Sequence, residues 1–314
     1  MGVFLYYSNQ YNFVALNNPI LGKLALNSIT VNLLFTLLFS FPIMVQGQYD
    51  FNNLKSIHKL PNKLKEISGI TTINDSLLGC VQDEEGIFFV YNLNTKKIEN
   101  KIRFSGGGDF EGVTNNGKDV FILESDGKIF KIANFQTSYP DTSSFQSGVP
   151  AKDNEGIHYD KSRNSLVIAC KGKFGKGLAN QMRREIYLFN LEKNKLNPIP
   201  LFKINIDDVK NFALQKGIKL PTKIKKNRTV TILKIRMSGI STHPTTGEFY
   251  ILSAFDHAVV IFNKKGEIKN FIQLNDKKFP KAEGITFLNN GDLIISNEGT
   301  KEYKATIIQI ENIK

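Results

Sequence analysis

Glu111-Gly112-Val113-Thr114 is one copy of a short pattern that returns as Ser68-Gly69-Ile70-Thr71, Glu155-Gly156-Ile157-His158, Ser238-Gly239-Ile240-Ser241 and Glu283-Gly284-Ile285-Thr286. Each copy is followed, after a turn, by a second β-rich run: Leu77 to Gln82, Val120 to Glu124, Leu166 to Cys170, Phe249 to Ser253 and Leu293 to Asn297. Third runs follow, such as Ile87 to Asn92 and Val259 to Asn263, with Asn, Lys, Gly and Asp at the turns between them. Short strands that repeat at roughly 40 to 45 residues are the mark of propeller blades, each a four-stranded antiparallel sheet.

The repeat glycines are spaced by 43, 44, 83 and 45 residues. The long interval admits either a sixth, degenerate blade or insertions in a five-bladed ring. Insertions are the preferred reading, because two can be identified. One is a Gly/Lys-rich loop from Gly172 to Arg184, and the other runs from Asp207 to Arg228 and carries a helical pattern over Asp208 to Leu214. After Glu283 there is room for only three strands, so the fourth of that blade is expected from Leu54 to Leu60. Such closure ties the two ends of the ring together and removes open sheet edges. The expected fold is therefore an all-β, five-bladed β-propeller, with six blades as the alternative.

The chain has 314 residues, 41% hydrophobic and 22% charged, an ordinary globular balance. Its formal charge of +12 comes from scattered Lys residues without a nucleic-acid-binding motif, so no nucleic-acid partner is expected. Val31 to Val45 (VNLLFTLLFSFPIMV) is an uncharged run of the length of a signal-peptide core, with a site suited to cleavage before Gln48. Residues 1–47 are read as an N-terminal extension with a signal peptide or, uncleaved, a membrane anchor. Residues 48–314 are read as the propeller. The expected location is periplasmic or extracellular, with inner-membrane anchoring as the variant that an uncleaved segment would give. Cys80 and Cys170 are too few for a disulfide scaffold, fall on blades that are not neighbours, and are expected free. The domain is expected to be a monomer.

In an antiparallel blade the start of the first strand and the end of the second lie at one face. That geometry gathers Glu111, Glu155 and Glu283 with Ser68 and Ser238, and brings Asp83, Glu124, Lys171, Asn297 and Glu298 to the same mouth. Three glutamates around a narrow ring repel one another unless a cation sits between them. Oxygen ligands without His or Cys select a hard cation, so calcium is the expected ion, held by Glu111, Glu155, Glu283, Asp83 and Glu124. The competing reading pairs each glutamate with a lysine or a backbone amide. Both insertions are assigned to this mouth, where Lys171, Arg183 and Arg184, and then Lys223, Lys225, Lys226 and Arg228, would suit an anionic small molecule; the competing reading is solvated loops that merely raise the pI. His158 replaces the hydroxyl residue found in the other four copies and is the candidate general base, although such a residue is more often a satisfied group in a channel wall.

The runs Lys65-Glu66-Ile67-Ser68-Gly69-Ile70, Gln82-Asp83-Glu84-Glu85-Gly86, Gly108-Asp109-Phe110-Glu111-Gly112, Asn154-Glu155-Gly156-Ile157, Ala169-Cys170-Lys171 and Ala282-Glu283-Gly284-Ile285-Thr286-Phe287 resemble those of the SdiA-regulated (YjiK-like) proteins. The resemblance extends from about Leu54 to the C-terminus. It implies a five-bladed propeller, export or inner-membrane attachment, and a calcium site, and it implies no established reaction. Glu111, Glu155 and Glu283 match the family's Glu-Gly motifs, whereas Met237-Ser238 departs from a common Pro-Ser pair. Two functions compete: a non-catalytic module of the cell envelope that binds a ligand or an envelope protein, and a calcium-dependent hydrolase of phosphate esters or lactones. An acid/base group within reach of the metal, either His158 or Glu124, would favour the second.

Overall fold

A computed structural model describes residues 49–151, 153–172 and 177–313. The readings for residues 1–47 lie outside the described residues. Among the described residues the first strand is the short β1 (Ser56–Lys59), and blade one then forms from β2 (Ile67–Thr72), β3 (Leu77–Gln82), β4 (Glu85–Asn92) and β5 (Lys97–Gly107). Blade two is β6 (Phe110–Asn115), β7 (Val120–Glu124), β8 (Lys128–Ala133) and β9 (Asp141–Gln146). Blade three is β10 (Asn154–Asp160), β11 (Ser165–Cys170) and β12 (Arg183–Asn190), with an outer strand split into β13 (Lys195–Leu196) and β14 (Phe202–Asn205). Pro198 and Pro200 lie in the gap between β13 and β14. Proline has no N–H for a ladder, which accounts for the split.

A helix over Ile206–Gln215 and an exposed hairpin, β15 (Thr222–Lys225) with β16 (Arg228–Thr231), precede blade four. That blade is β17 (Gly239–Thr242), β18 (Phe249–Ser253), β19 (Ala258–Phe262) and β20 (Ile268–Gln273). Blade five is β21 (Ala282–Phe287), β22 (Leu293–Asn297) and β23 (Thr306–Ile310), completed by β1. The long glycine interval thus holds insertions, and the ring has five blades. Ser56 to Lys59 pairs antiparallel with Thr306 to Gln309, so the two ends close one sheet as expected.

The second strands β3, β7, β11, β18 and β22 are buried almost throughout. Each lies inside a blade that is covered on both faces by its neighbours, which is why the sequence there is a continuous apolar run rather than an alternating one. The outer strands β5, β9 and β20 are largely exposed and polar. Hydrophobic packing is consequently between blades. Separate clusters join blades one and two, two and three, three and four, four and five, and five and one.

The helix contributes Ile206, Val209 and Ala213 to the wedge between blades three and four. Its start is fixed by the Asn205 side chain, which accepts from the Asp207 amide at 3.0 Å, and by Asp207 and Asp208 in the first turn.

The repeat glycines mark where the blades touch. A Cβ on Gly69 would lie 2.9 Å from Gly112 Cα, one on Gly112 2.6 Å from the Glu155 carbonyl oxygen, and one on Gly239 2.8 Å from that of Glu283. Gly156 and Gly284 meet Ile240 and Ile70 in the same way. Each inner strand rests against the next blade's inner strand, and the contact from blade five returns to blade one.

Candidate functional site

The inner strands of blades one, two, three and five carry a register irregularity just before the repeat glycine, at Ser68, Glu111, Glu155 and Glu283. A bulge re-aims the side chain of the extra residue out of the ladder. In blade four the strand begins at Gly239, and Ser238 stands immediately outside it. The two serines turn to the next blade: Ser68 Oγ donates to the Phe110 carbonyl at 2.6 Å, and Ser238 Oγ donates to the Ala282 carbonyl at 3.0 Å. The three glutamates bring charge to the mouth instead.

Burial dominates their chemistry. The Glu111 carboxyl is pushed up to about 8, first by desolvation and then by Asp109, with Lys171 opposing and Glu283 and Asp153 adding to the rise. Glu283 is pushed up to about 7 by desolvation, against the pull of Lys281 and Lys171, with Glu298 and Asp83 adding. Asp83 is pushed up to about 6 by desolvation and by the neighbouring carboxylates of Glu66, Glu298 and Glu84. Its Oδ1 is buried without a hydrogen-bond partner, as is the side-chain oxygen of Asn297.

Glu155 is 2% exposed and accepts a hydrogen bond from the Lys171 ammonium. Lys171 also acts on Glu111 and Glu283, so one tethered cation serves all three ring glutamates. The Lys171 amide donates to the Asp153 carbonyl at 3.0 Å, which fixes the chain end that carries this cation. The alternative in which a glutamate pairs with a lysine therefore holds at Glu155. Among the described residues no three His, Cys, Asp or Glu side chains stand in an arrangement that would hold a metal ion.

Other candidates separate. Glu298 pairs with Lys281, and the Asn297 amide donates to Thr306 Oγ1 at 3.0 Å. Glu124 lies beside Gly108, where an added Cβ would be 2.8 Å from its Oε1. Arg184, expected in an anion-binding lid, is 3% exposed and donates to the carbonyls of Ile235, Lys234, Gln181 and Arg183. It pins the insertion to blade three and is not presented to a ligand. Arg183 pairs with Glu185 at 2.9 Å. His158 lies three residues along β10 from Glu155, about 10 Å at strand rise, and lines a cavity at the opposite mouth. Cys80 and Cys170 are buried and free, as expected.

Lys281 and Asp153 belong to the mouth but were missed from sequence. Each lies two residues before a ring glutamate, a place with no periodic signal. At this mouth Glu111 and Glu283, raised to about 8 and about 7, stay partly protonated near neutrality.

Among solved structures, the glutaminyl cyclase of Myxococcus xanthus is similar over 83% of this chain and 97% of its own, with a TM-score of 0.54 and 10% identity. A streptogramin B lyase aligns over 82% of this chain and 98% of its own, at a TM-score of 0.45 and 12% identity. The WD40 β-propeller domain of Doa1 aligns over 83% and 97%, at 0.43 and 12%. At such identities the first likeness speaks for the propeller fold alone. No protein of curated function matches the sequence. The SdiA-regulated family model matches residues 49–305, which takes in all five glutamate- or serine-bearing strand starts, and the chain belongs to that family.

Proposed function

We propose that this chain is an exported propeller of the cell envelope that binds calcium at the glutamate mouth and uses that face to hold an anionic small molecule or an envelope protein. The observation that carries the reading is the set of buried carboxyls, Glu111, Glu283 and Asp83, each raised well above the ordinary carboxylate range in the absence of a cation. The donors fit a hard cation in kind, since they are oxygens throughout and Asp83 Oδ1 has no other partner. Glu111, Glu283 and Asp83 would hold the ion, joined by Glu155 once Lys171 releases it, with Glu124 as a more distant member. Calcium, when bound, would supply a fixed positive centre at the mouth. The chain's own residues do the rest: Lys171 balances the ring until the ion arrives, and Ser68 and Ser238 hold neighbouring blades in register.

Export rests on the apolar run Val31 to Val45. Among the described residues no helix is long and apolar enough to cross a membrane. An anionic partner is suggested by the exposed hairpin bearing Lys223, Lys225, Lys226 and Arg228. A binding module is preferred to a hydrolase because His158, one of the two acid/base candidates, lines the cavity at the other mouth, which leaves Glu124 to carry the hydrolase reading.

Calorimetric titration of the propeller with calcium tests the reading. Binding by the wild type that is lost or weakened about tenfold or more in each of Glu111→Gln, Glu155→Gln and Glu283→Gln is the expected result. Absence of binding in the wild type would sink it.

A further inference from the structure

The mouth opposite the glutamates encloses a cavity of about 610 Å³. That size lies within the roughly 300–1,000 Å³ of small-molecule sites. Its floor comes from the far end of the same five repeats, with Thr71, Thr114, His158, Ser241 and Thr286 contributed one per blade. The sequence pattern that ends in a hydroxyl in four copies and an imidazole in the fifth thus builds a ring of small polar groups around the channel axis.

The hydrogen-bonding state of this ring suits a hydroxyl-bearing guest. Thr71 Oγ1 accepts from Asn115 Nδ2 at 3.0 Å and Thr114 Oγ1 accepts from the Tyr159 amide at 2.9 Å, so each keeps its own proton to donate. Thr242 Oγ1, also in the lining, is buried without a partner. Enclosure keeps the His158 imidazole neutral, its protonation pushed down to about 4, so it offers one donor and one acceptor. Phe249 and Phe287 back the lining from the core, and the half-buried Tyr159 is the aromatic side chain on which the C–H face of a sugar ring can lie.

Charge at the rim is one-sided. Asp160 is the one carboxylate in the lining, and it is already taken by Arg163 and by the Ser162 hydroxyl at 2.6 Å. Lys161 and Lys264 line the same cavity, and neither has an ion-pair partner among the described residues. Lys264 is held there by its stem, which crosses Gly247. A Cβ at that glycine would lie 2.2 Å from Lys264 Cε, and its backbone is left-handed with φ +69°.

We propose that this second mouth is a binding site for a phosphorylated monosaccharide, with the hydroxyl ring and His158 reading the sugar hydroxyls and Lys161 and Lys264 holding the phosphate. The site is separate from the glutamate mouth, since none of the ring carboxylates lines it.

Calorimetry of the full propeller with glucose 6-phosphate and ribose 5-phosphate tests this, with glucose and inorganic phosphate as comparison arms. The expected result is that at least one sugar phosphate binds about tenfold or more tightly than either comparison compound. Lys161→Met with Lys264→Met, both at the surface, should remove most of that difference, and His158→Phe should weaken the sugar phosphate while leaving inorganic phosphate unchanged. Glu111→Gln should leave the affinity unchanged, which separates this site from the calcium reading. No binding of either sugar phosphate, equal binding of inorganic phosphate, or indifference to the double lysine substitution would each overturn the proposal.

Discussion

Lys171 shows how one side chain changes the meaning of a motif. At the end of β11 it hydrogen-bonds Glu155 and lies close enough to Glu111 and Glu283 to pull both carboxyls down against burial. An ammonium in that position does part of what a metal ion would do, and it competes with one. Replacing it should therefore help the ion. Lys171→Met is expected to raise calcium affinity by roughly tenfold at about pH 8.5, the order of 1–2 kcal/mol for a half-buried charge contact, as read by calorimetry. A weaker affinity in that variant would mean that Lys171 supports the site and does not contend for it. The sequence placed Lys171 at this mouth, because second-strand ends and first-strand starts meet there. It could not tell that the side chain turns inward, since a residue just past a strand end has no fixed face. Arg184 shows the opposite failure. Two adjacent arginines in a loop read as a ligand grip, yet Arg184 is buried and donates to four backbone carbonyls, two of them in the segment that leads into blade four.

Among the elements, the inner strands were the most legible, for a steric reason. Each needs a glycine where the next blade's backbone comes within about 3 Å of a potential Cβ, and each needs a polar residue just before it, at the bulge or, in blade four, just outside the strand. Those two demands repeat five times and produce the pattern that marks the blades. Blade three's outer strand was less legible, because β13 and β14 are short, separated by prolines and paired with different halves of β12. The cavity opposite the glutamates was not legible as a site: of its lining His158 alone was singled out, as a candidate base or a channel-wall group, and only the turns between β10 and β11 and between β19 and β20 bring Lys161 and Lys264 beside it. The closing strand β1 makes an element-level prediction. Removing residues 49–60 takes away the partner of β23 and the buried side chains Tyr49, Phe51 and Leu60. The shortened propeller should melt about 10 °C or more lower, since several kcal/mol of packing is lost, and should self-associate through the exposed β23 edge. A shortened chain that stays monomeric with an unchanged melting temperature would show that the ring does not depend on this closure.

At the scale of the whole molecule, stability among the described residues is shared by five inter-blade clusters, with a smaller sixth of Ala151, Cys170 and Tyr187 on and beside blade three. The glutamate mouth works against that ring. In the metal-free protein the Glu111 and Glu283 carboxyls are raised from 4.5 to about 8 and about 7. Below pH 4.5 folded and unfolded chains both keep these protons, and the full stability is present. As the pH climbs, the unfolded chain releases them while the folded mouth resists, so stability is lost progressively up to and through about 7 and 8. A cation between the carboxyls reverses the penalty and displaces their protons. The most direct measurement is the number of protons released per calcium bound, obtained by calorimetry at pH 7 in two buffers of different ionisation enthalpy. Release of about one and a half protons, falling towards zero by about pH 9.5, is predicted. Binding heats that do not depend on the buffer, or no binding at all, would contradict a calcium site built from these buried glutamates.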